Sequence, residues 1–355
     1  MVKKFINKMI KPWLKKLSRA KQEDIDRSKY LRLDKNERVI KLENKFLSYL
    51  KKSINTFNLT SYPNIDKIYK LLSKKINIPK KMLCLTAGSD LAIKTCIEYF
   101  TKRQDKIITL SPTFGMVDVY SKLYNLKNVK IGYDKNLKLD FEKLKKNLNK
   151  KISLIIIANP NSPTGTIIDP KRLLFIIKKC KKINVPILID EAYYGFYKYS
   201  YIKYINKYNN LIITRTFSKA FGLAGLRAGY IAANSGVIKN IFKYKPMYEI
   251  NAISCIAIEF LLKNPKIIKD HINEVQKGKK FLIQNIKKNY KFIDTYGNFF
   301  HINFGKNKKK FEKILKKNKV LVRKGPGVKG FEEYLRISLG SKNHMSRILK
   351  LMKKI

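Results

Sequence analysis

Residues 214–230 read TRTFSKAFGLAGLRAGY. The chain carries 78 Lys and Arg against 25 Asp and Glu, so a lysine in this stretch is not remarkable in itself. The setting of Lys219 is. Leu211, Ile212, Ile213 and Thr214 form a short apolar run that predicts a buried strand. Gly222, Gly225 and Gly229, with Ala220, Ala224 and Ala228, follow it. A lysine at a strand end beside small residues sits where a doubly wound sheet keeps its ligand crevice.

Working outward, MLCLTA, KIITLSP, SLIIIANP, PILIDEA and LIITRTF are short runs rich in Ile and Leu. Helix-length patterns such as KRLLFIIKKCKKI lie between them. This alternation predicts an α/β fold, a mostly parallel sheet covered by helices on both faces. After about residue 265 the runs shorten and the patterns mix, which predicts a smaller α+β C-terminal domain. The expected division is a basic extension over 1–30, an arm over 31–50 that joins the small domain, a large domain over 51–260 and a small one over 261–355.

Composition narrows the chemistry. Cys84, Cys96, Cys180 and Cys255 are dispersed, which argues against a disulfide framework or a zinc site and fits a reducing cytoplasm. Three histidines, His271, His301 and His344, give little basis for a His-based metal site or a Ser-His-Asp triad, and no metal is expected. The net charge of +53 fits a nucleic-acid binder, an anionic substrate or a lysine-rich bias spread over solvated faces. The lysines fall in nearly every segment, which favours the last, and no specific nucleic acid is expected. No stretch is apolar enough to span a bilayer. Residues 1–18, MVKKFINKMIKPWLKKLS, have the periodicity of a basic amphipathic helix kinked at Pro12. That helix would pack on its own body or a partner subunit, or make a weak peripheral contact with a membrane surface.

The remaining unusual residues fall at strand ends. ILIDEAYYGF places Asp190 and Tyr193 there, and IIIANPNSPTG places Asn159, Asn161 and Ser162. LTAGSD puts Gly88, Ser89 and Asp90 between a strand and a helix, where free N–H groups suit a phosphate. TLSPTFG puts Phe114 past a further strand. Each feature alone has a bland explanation as a cap or turn. Together they gather a lysine, a carboxylate, a phenol, an aromatic face and a phosphate cradle at one sheet edge. Pyridoxal phosphate needs that set: an amine for its aldehyde, a carboxylate for its pyridine nitrogen, a flat partner, and donors for its phosphate.

With LDKNER, SYPN, TAGSD, SPTFG, NPNSPTG, DEAYYGF, RTFSKAFGLAGLR and YLRISLG in order, the sequence resembles the fold-type I pyridoxal-phosphate aminotransferases. Within them it is similar to the histidinol-phosphate aminotransferase group, over about residues 31–352. The resemblance implies roles by motif. Lys219 would be the lysine that bonds the cofactor and, once freed, moves the proton. Ser218, Arg227, Gly88 and Ser89 would hold the phosphate, Phe114 would stack on the ring, Asp190 would pair with the pyridine nitrogen, and Tyr193 would sit near the ring oxygen. Tyr62 would reach the phosphate of the neighbouring subunit, which implies a homodimer. The family's asparagine before PTG is Ser162 here, so Asn161 is the expected substitute. Asn36 would lie near the substrate, and Arg323 and Arg336, thirteen residues apart, would grip its anionic end.

The implied partners are a small phosphorylated amine, histidinol phosphate by default, and a 2-oxo acid such as 2-oxoglutarate. The competing readings are a decarboxylase of threonine or serine phosphate with the same cofactor residues, and a nucleic-acid-binding protein driven by charge.

Overall fold

The apolar runs become strands in the computed structural model, which describes residues 11–15, 17, 25–287 and 290–355. Most of the amphipathic stretch over 1–18 lies outside the described residues. After Leu31–Arg32 (β1) come Leu83–Thr86 (β2), Lys106–Leu110 (β3), Lys127–Ile131 (β4), Ile152–Ala158 (β5), Ile187–Asp190 (β6), Leu211–Thr216 (β7) and Gly229–Ala233 (β8). β2 to β8 form one seven-stranded sheet in the order β2-β8-β7-β6-β5-β3-β4. β7, β6, β5, β3 and β4 pair in parallel, while β8 runs antiparallel between β2 and β7.

β5, β6 and β7 are buried almost throughout, so they carry continuous Ile and Leu and no alternation. The edge strand β4 differs: Lys127 and Lys130 are exposed and Ile131 is buried. Charged side chains on an edge protect it from pairing with other chains. They also hide it from a search for apolar runs.

The smaller unit holds an antiparallel sheet of Phe292–Ile293 (β9), Phe299–Asn303 (β10), Arg323–Lys324 (β12) and Tyr334–Ser338 (β13), in the order β12-β13-β10-β9. Val320–Leu321 (β11) pairs in parallel with β1, so the N-terminal arm joins this unit. Leu33 completes the attachment, buried in the same core as Phe300, Ile302, Leu335 and Ile337. The arm read over 31–50 is nevertheless divided. Phe46 and Tyr49, on the helix Asn44–Ser53, pack on the large core, with Tyr49 4.6 Å from the ring of Phe260. The proposed boundary at residue 260 falls within the helix Ala252–Lys263. The next helix, Pro265–Asn285, serves both cores, with Ile267 and Ile268 against the first and Val275 and Leu282 in the second.

Near the N-terminus, Pro12–Leu14 forms a single 3-10 turn. Trp13 donates its indole N–H to the Leu123 carbonyl at 3.1 Å, and the Arg103 guanidinium lies 4.2 Å from its ring. This part of the extension therefore docks on the chain's own body.

Gly278 sets how closely the long helix approaches the small unit. A Cβ there would overlap the Gly340 carbonyl. Alanine normally favours a helix interior over glycine by about 1 kcal/mol. Here the overlap has rigid backbone on both sides and should outweigh that gain. Gly278→Ala is expected to destabilise the protein by about 1–3 kcal/mol in denaturant unfolding. A stabilised variant would show that the helix can shift outward freely.

Candidate active site

The carboxyl ends of β5, β6 and β7 meet the N-termini of helices Gly88–Phe100 and Gly115–Leu123. Asp190 ends β6 with 5 % of its surface exposed. Thr214 donates its hydroxyl to Asp190 Oδ1 at 2.8 Å, and no lysine or arginine among the described residues forms an ion pair with this carboxylate. Burial pushes its pKa up to about 7; the Thr214 hydrogen bond opposes that rise and the charge of Glu191 adds to it. Its neighbour Glu191 is treated differently. Arg215 reaches Glu191 Oε2 through Nη2 at 2.8 Å and Nε at 3.0 Å, and Ser200 and the Tyr201 N–H also donate to Glu191. One buried carboxylate is fully paired, and the adjacent one has a hydroxyl donor and no ion pair among the described residues.

Lys219 follows β7, partly buried, with Nζ donating to the carbonyls of Lys35 at 2.9 Å and Asn36 at 3.1 Å. Burial, reinforced by the Arg336 guanidinium, brings its pKa down to about 8. Asn36 adopts a left-handed backbone (φ 54) in the turn that presents these two carbonyls. Its amide donates to the Tyr193 hydroxyl at 2.8 Å, and Ser338 holds it from the small sheet. Tyr193 is 4 % exposed and its pKa is raised by burial.

The turn after β2 is shaped as a cradle. Gly88 has φ +83, and a Cβ on it would lie 2.8 Å from Arg227 Nη2. A Cβ on Gly229 would lie 2.8 Å from the Ser89 nitrogen. Ala87 offers no side-chain cap, so the first N–H groups of the following helix are free for an anion. Ser218 accepts from Arg227 Nη1 at 3.4 Å. Phe114, half-buried, caps the neighbouring helix.

Asn161 is buried among protein partners, whereas Tyr62 is exposed. Asn161 is 1 % exposed, and its amide ties its own turn to the loop after β3. It accepts from Thr113 and donates to the Pro112 carbonyl and Thr164, each at 2.9 Å. Both amide hydrogens of Asn161 are therefore committed to protein acceptors. The adjacent Ser162 is half-buried, and the Tyr193 phenol takes its hydrogen bond from Asn36. Tyr62 is 76 % exposed, its ring stacked 4.1 Å from that of Tyr248.

Arg336 and Arg323 are direct partners across β13 and β12. Arg336 donates to the Asp34 carbonyl at 2.7 Å, while its Nε is buried with no partner. Neither arginine has an ion pair among the described residues. Thr214, the Glu191–Arg215 pair and Asn298, which donates to the Asn36 carbonyl at 3.1 Å, were not identified from sequence. Thr214 alone left a signal, a hydroxyl directly after the apolar run Leu211, Ile212 and Ile213.

The family model Aminotransferase class I and II matches residues 25–352. The chain belongs to that family. It is 32% identical over 328 residues to the histidinol-phosphate aminotransferase of Clostridium novyi (strain NT), covering 91% of each chain. Its fold matches the histidinol-phosphate aminotransferase of Sinorhizobium meliloti in complex with pyridoxal-5'-phosphate, with TM-score 0.83 and 18% identity over 97% of this chain and 98% of that one. It also matches L-threonine-O-3-phosphate decarboxylase from Porphyromonas gingivalis, with TM-score 0.77 and 18% identity over 91% and 98%. The aminotransferase is thus a pyridoxal-phosphate-dependent enzyme of fold type I, as its motifs imply.

The lowered Lys219 pKa has a direct consequence. In the cofactor-free aminotransferase, the rate at which an amine-directed reagent labels Lys219 should rise with pH and level off just above about 8. An ordinary lysine would continue to rise toward its usual pKa of 10.5. Peptide mass mapping across pH separates the two, and a midpoint near 10.5 would remove the case for a buried amine.

Proposed function

We propose that this aminotransferase moves an amino group from a small phosphorylated amine, histidinol phosphate by default, to a 2-oxo acid such as 2-oxoglutarate. The observation that carries the anionic substrate is the facing pair Arg323 and Arg336. Like charges directly across a sheet repel. Two arginines kept there without carboxylates are best explained by an anion that arrives with the substrate, held bidentately. The Clostridium novyi relative's name supports a phosphorylated amine as that substrate.

The cofactor fit rests on three features: the Gly88 turn against Arg227, the unpaired Asp190 and the buried amine of Lys219. When bound, pyridoxal phosphate supplies the electron sink that carries the amino group between the two half-reactions. Gly88, Ser89, Ser218 and Arg227 would hold its phosphate, Phe114 would cover a ring face, and Asp190 and Tyr193 would address the ring nitrogen and oxygen. Lys219 Nζ acts as the base that takes the proton from the substrate carbon bearing nitrogen. A pKa near neutrality suits that role better than an ordinary lysine's. The carbonyls of Lys35 and Asn36 hold the amine within reach while it waits.

The exposed Tyr62, with Phe57, Leu59 and Met247 also exposed, supports a homodimer in which Tyr62 completes the neighbour's site. We place the enzyme in the cytoplasm on its free, buried cysteines. The docked Trp13 favours packing of the extension on the chain's own body over membrane contact.

Borohydride treatment of the yellow protein should fix the cofactor's mass on the Lys219 peptide. Mixed with a panel of phosphorylated amines, the loaded enzyme should lose its visible absorbance with histidinol phosphate and release no carbon dioxide. Carbon dioxide release from threonine or serine phosphate without a 2-oxo acid would convert the reading to a decarboxylase. Arg336→Leu should raise KM for the phosphorylated amine about 10–100-fold, the value of a hydrogen bond to a charged group. An unchanged KM would dismiss the anion site.

A further inference from the structure

Thr214 is a hydroxyl where packing alone calls for a hydrocarbon. Its strand reads Leu-Ile-Ile-Thr-Arg-Thr, and Leu211, Ile212, Ile213 and Thr214 are all 0 % exposed. A valine has the same branched shape, so filling space does not explain the oxygen. A hydroxyl buried without a partner costs free energy, and this one spends its hydrogen on Asp190 Oδ1 at 2.8 Å. The bond follows from register: Asp190 and Thr214 are directly paired on the parallel strands β6 and β7. β-branching leaves Thr214 few rotamers, so the donor's direction is set by the strand.

We propose that Thr214 is a positioning residue that tethers one oxygen of Asp190 and leaves the other free to face the ring nitrogen of the cofactor. This rests on the role given to Asp190 above. The tether acts in two ways. It orients the carboxylate, and it favours the ionised form, which is the form that keeps the ring nitrogen protonated. The surroundings make that support necessary. The carboxylates of Glu191 and of Asp90, at the facing helix N-terminus, both oppose ionisation of Asp190, while the Thr214 hydroxyl and the Lys219 ammonium favour it. Lys219 and Tyr193 approach the same carboxylate from the lysine loop and the turn after β6. Glu191 is held by Arg215 and cannot swing to replace Asp190.

The test uses the full-length enzyme loaded with pyridoxal phosphate labelled with nitrogen-15 in the ring. Wild type, Thr214→Val, Thr214→Ser and Asp190→Asn are compared by the ring-nitrogen resonance and by the rate of cofactor release on dilution. Thr214→Ser keeps the donor and should match wild type. Thr214→Val should move the resonance toward the unprotonated position and release the cofactor roughly tenfold faster or more, as for a lost hydrogen bond to a charged group. If the valine variant does not fold, Thr214→Cys, a weak donor of similar size, is read the same way. A donor-less variant with wild-type resonance and release overturns the tether, provided Asp190→Asn has moved. If Asp190→Asn is also unchanged, the role given to Asp190 itself falls.

Discussion

The site depends on two buried groups of opposite charge that the chain does not neutralise for itself. Asp190 has a hydroxyl and no cation; Lys219 has two carbonyls and no carboxylate. Each is held near the pH where its charged form is half lost, which is costly in a folded protein unless a ligand restores the balance. A pyridinium nitrogen for Asp190 and an aldehyde for Lys219 would do that. The contrast with Glu191, paired to Arg215 one residue away, shows that the chain can satisfy a buried carboxylate at this edge where no ligand is to be met.

The architecture serves that arrangement. The parallel strands bring four loop ends to one edge, and the flanking helices aim free N–H groups at the same place. The small sheet then adds its part through backbone register. Ser338 and Arg336, two residues apart on β13, contact the segment 34–36 that holds the lysine amine. The cofactor side and the substrate side are therefore linked by one short stretch of the N-terminal arm. The large positive charge plays a more general part. Pairs such as Lys266–Asp270, at 2.7 Å, are solvent-exposed and contribute little each. With 78 cationic side chains against 25 anionic ones, the surface field attracts anions in general and selects none of them.

Much of this was legible beforehand because each apolar run is long enough to be a buried strand and each motif sits at a run's end. Lys219, Asp190, Tyr193 and the Gly88 turn come together for that reason. What was not legible depends on direction and register. The orientation of β8 is not written in its composition. β4 carries its lysines because it is an edge. The amide of Asn161 is engaged by Pro112 and Thr113, on a loop nearly fifty residues away in sequence, and by Thr164, none of which its own motif announces. Thr214 acquires meaning only once strand pairing sets it beside a carboxylate far from it in sequence.

The most direct test is a crystal structure of the enzyme grown with pyridoxal phosphate. The account predicts phosphate density against the Gly88 and Ser89 N–H groups and Arg227, the ring nitrogen on Asp190, and continuous density to Lys219 Nζ. Cofactor density anywhere else, or a ring nitrogen turned away from Asp190, would contradict it.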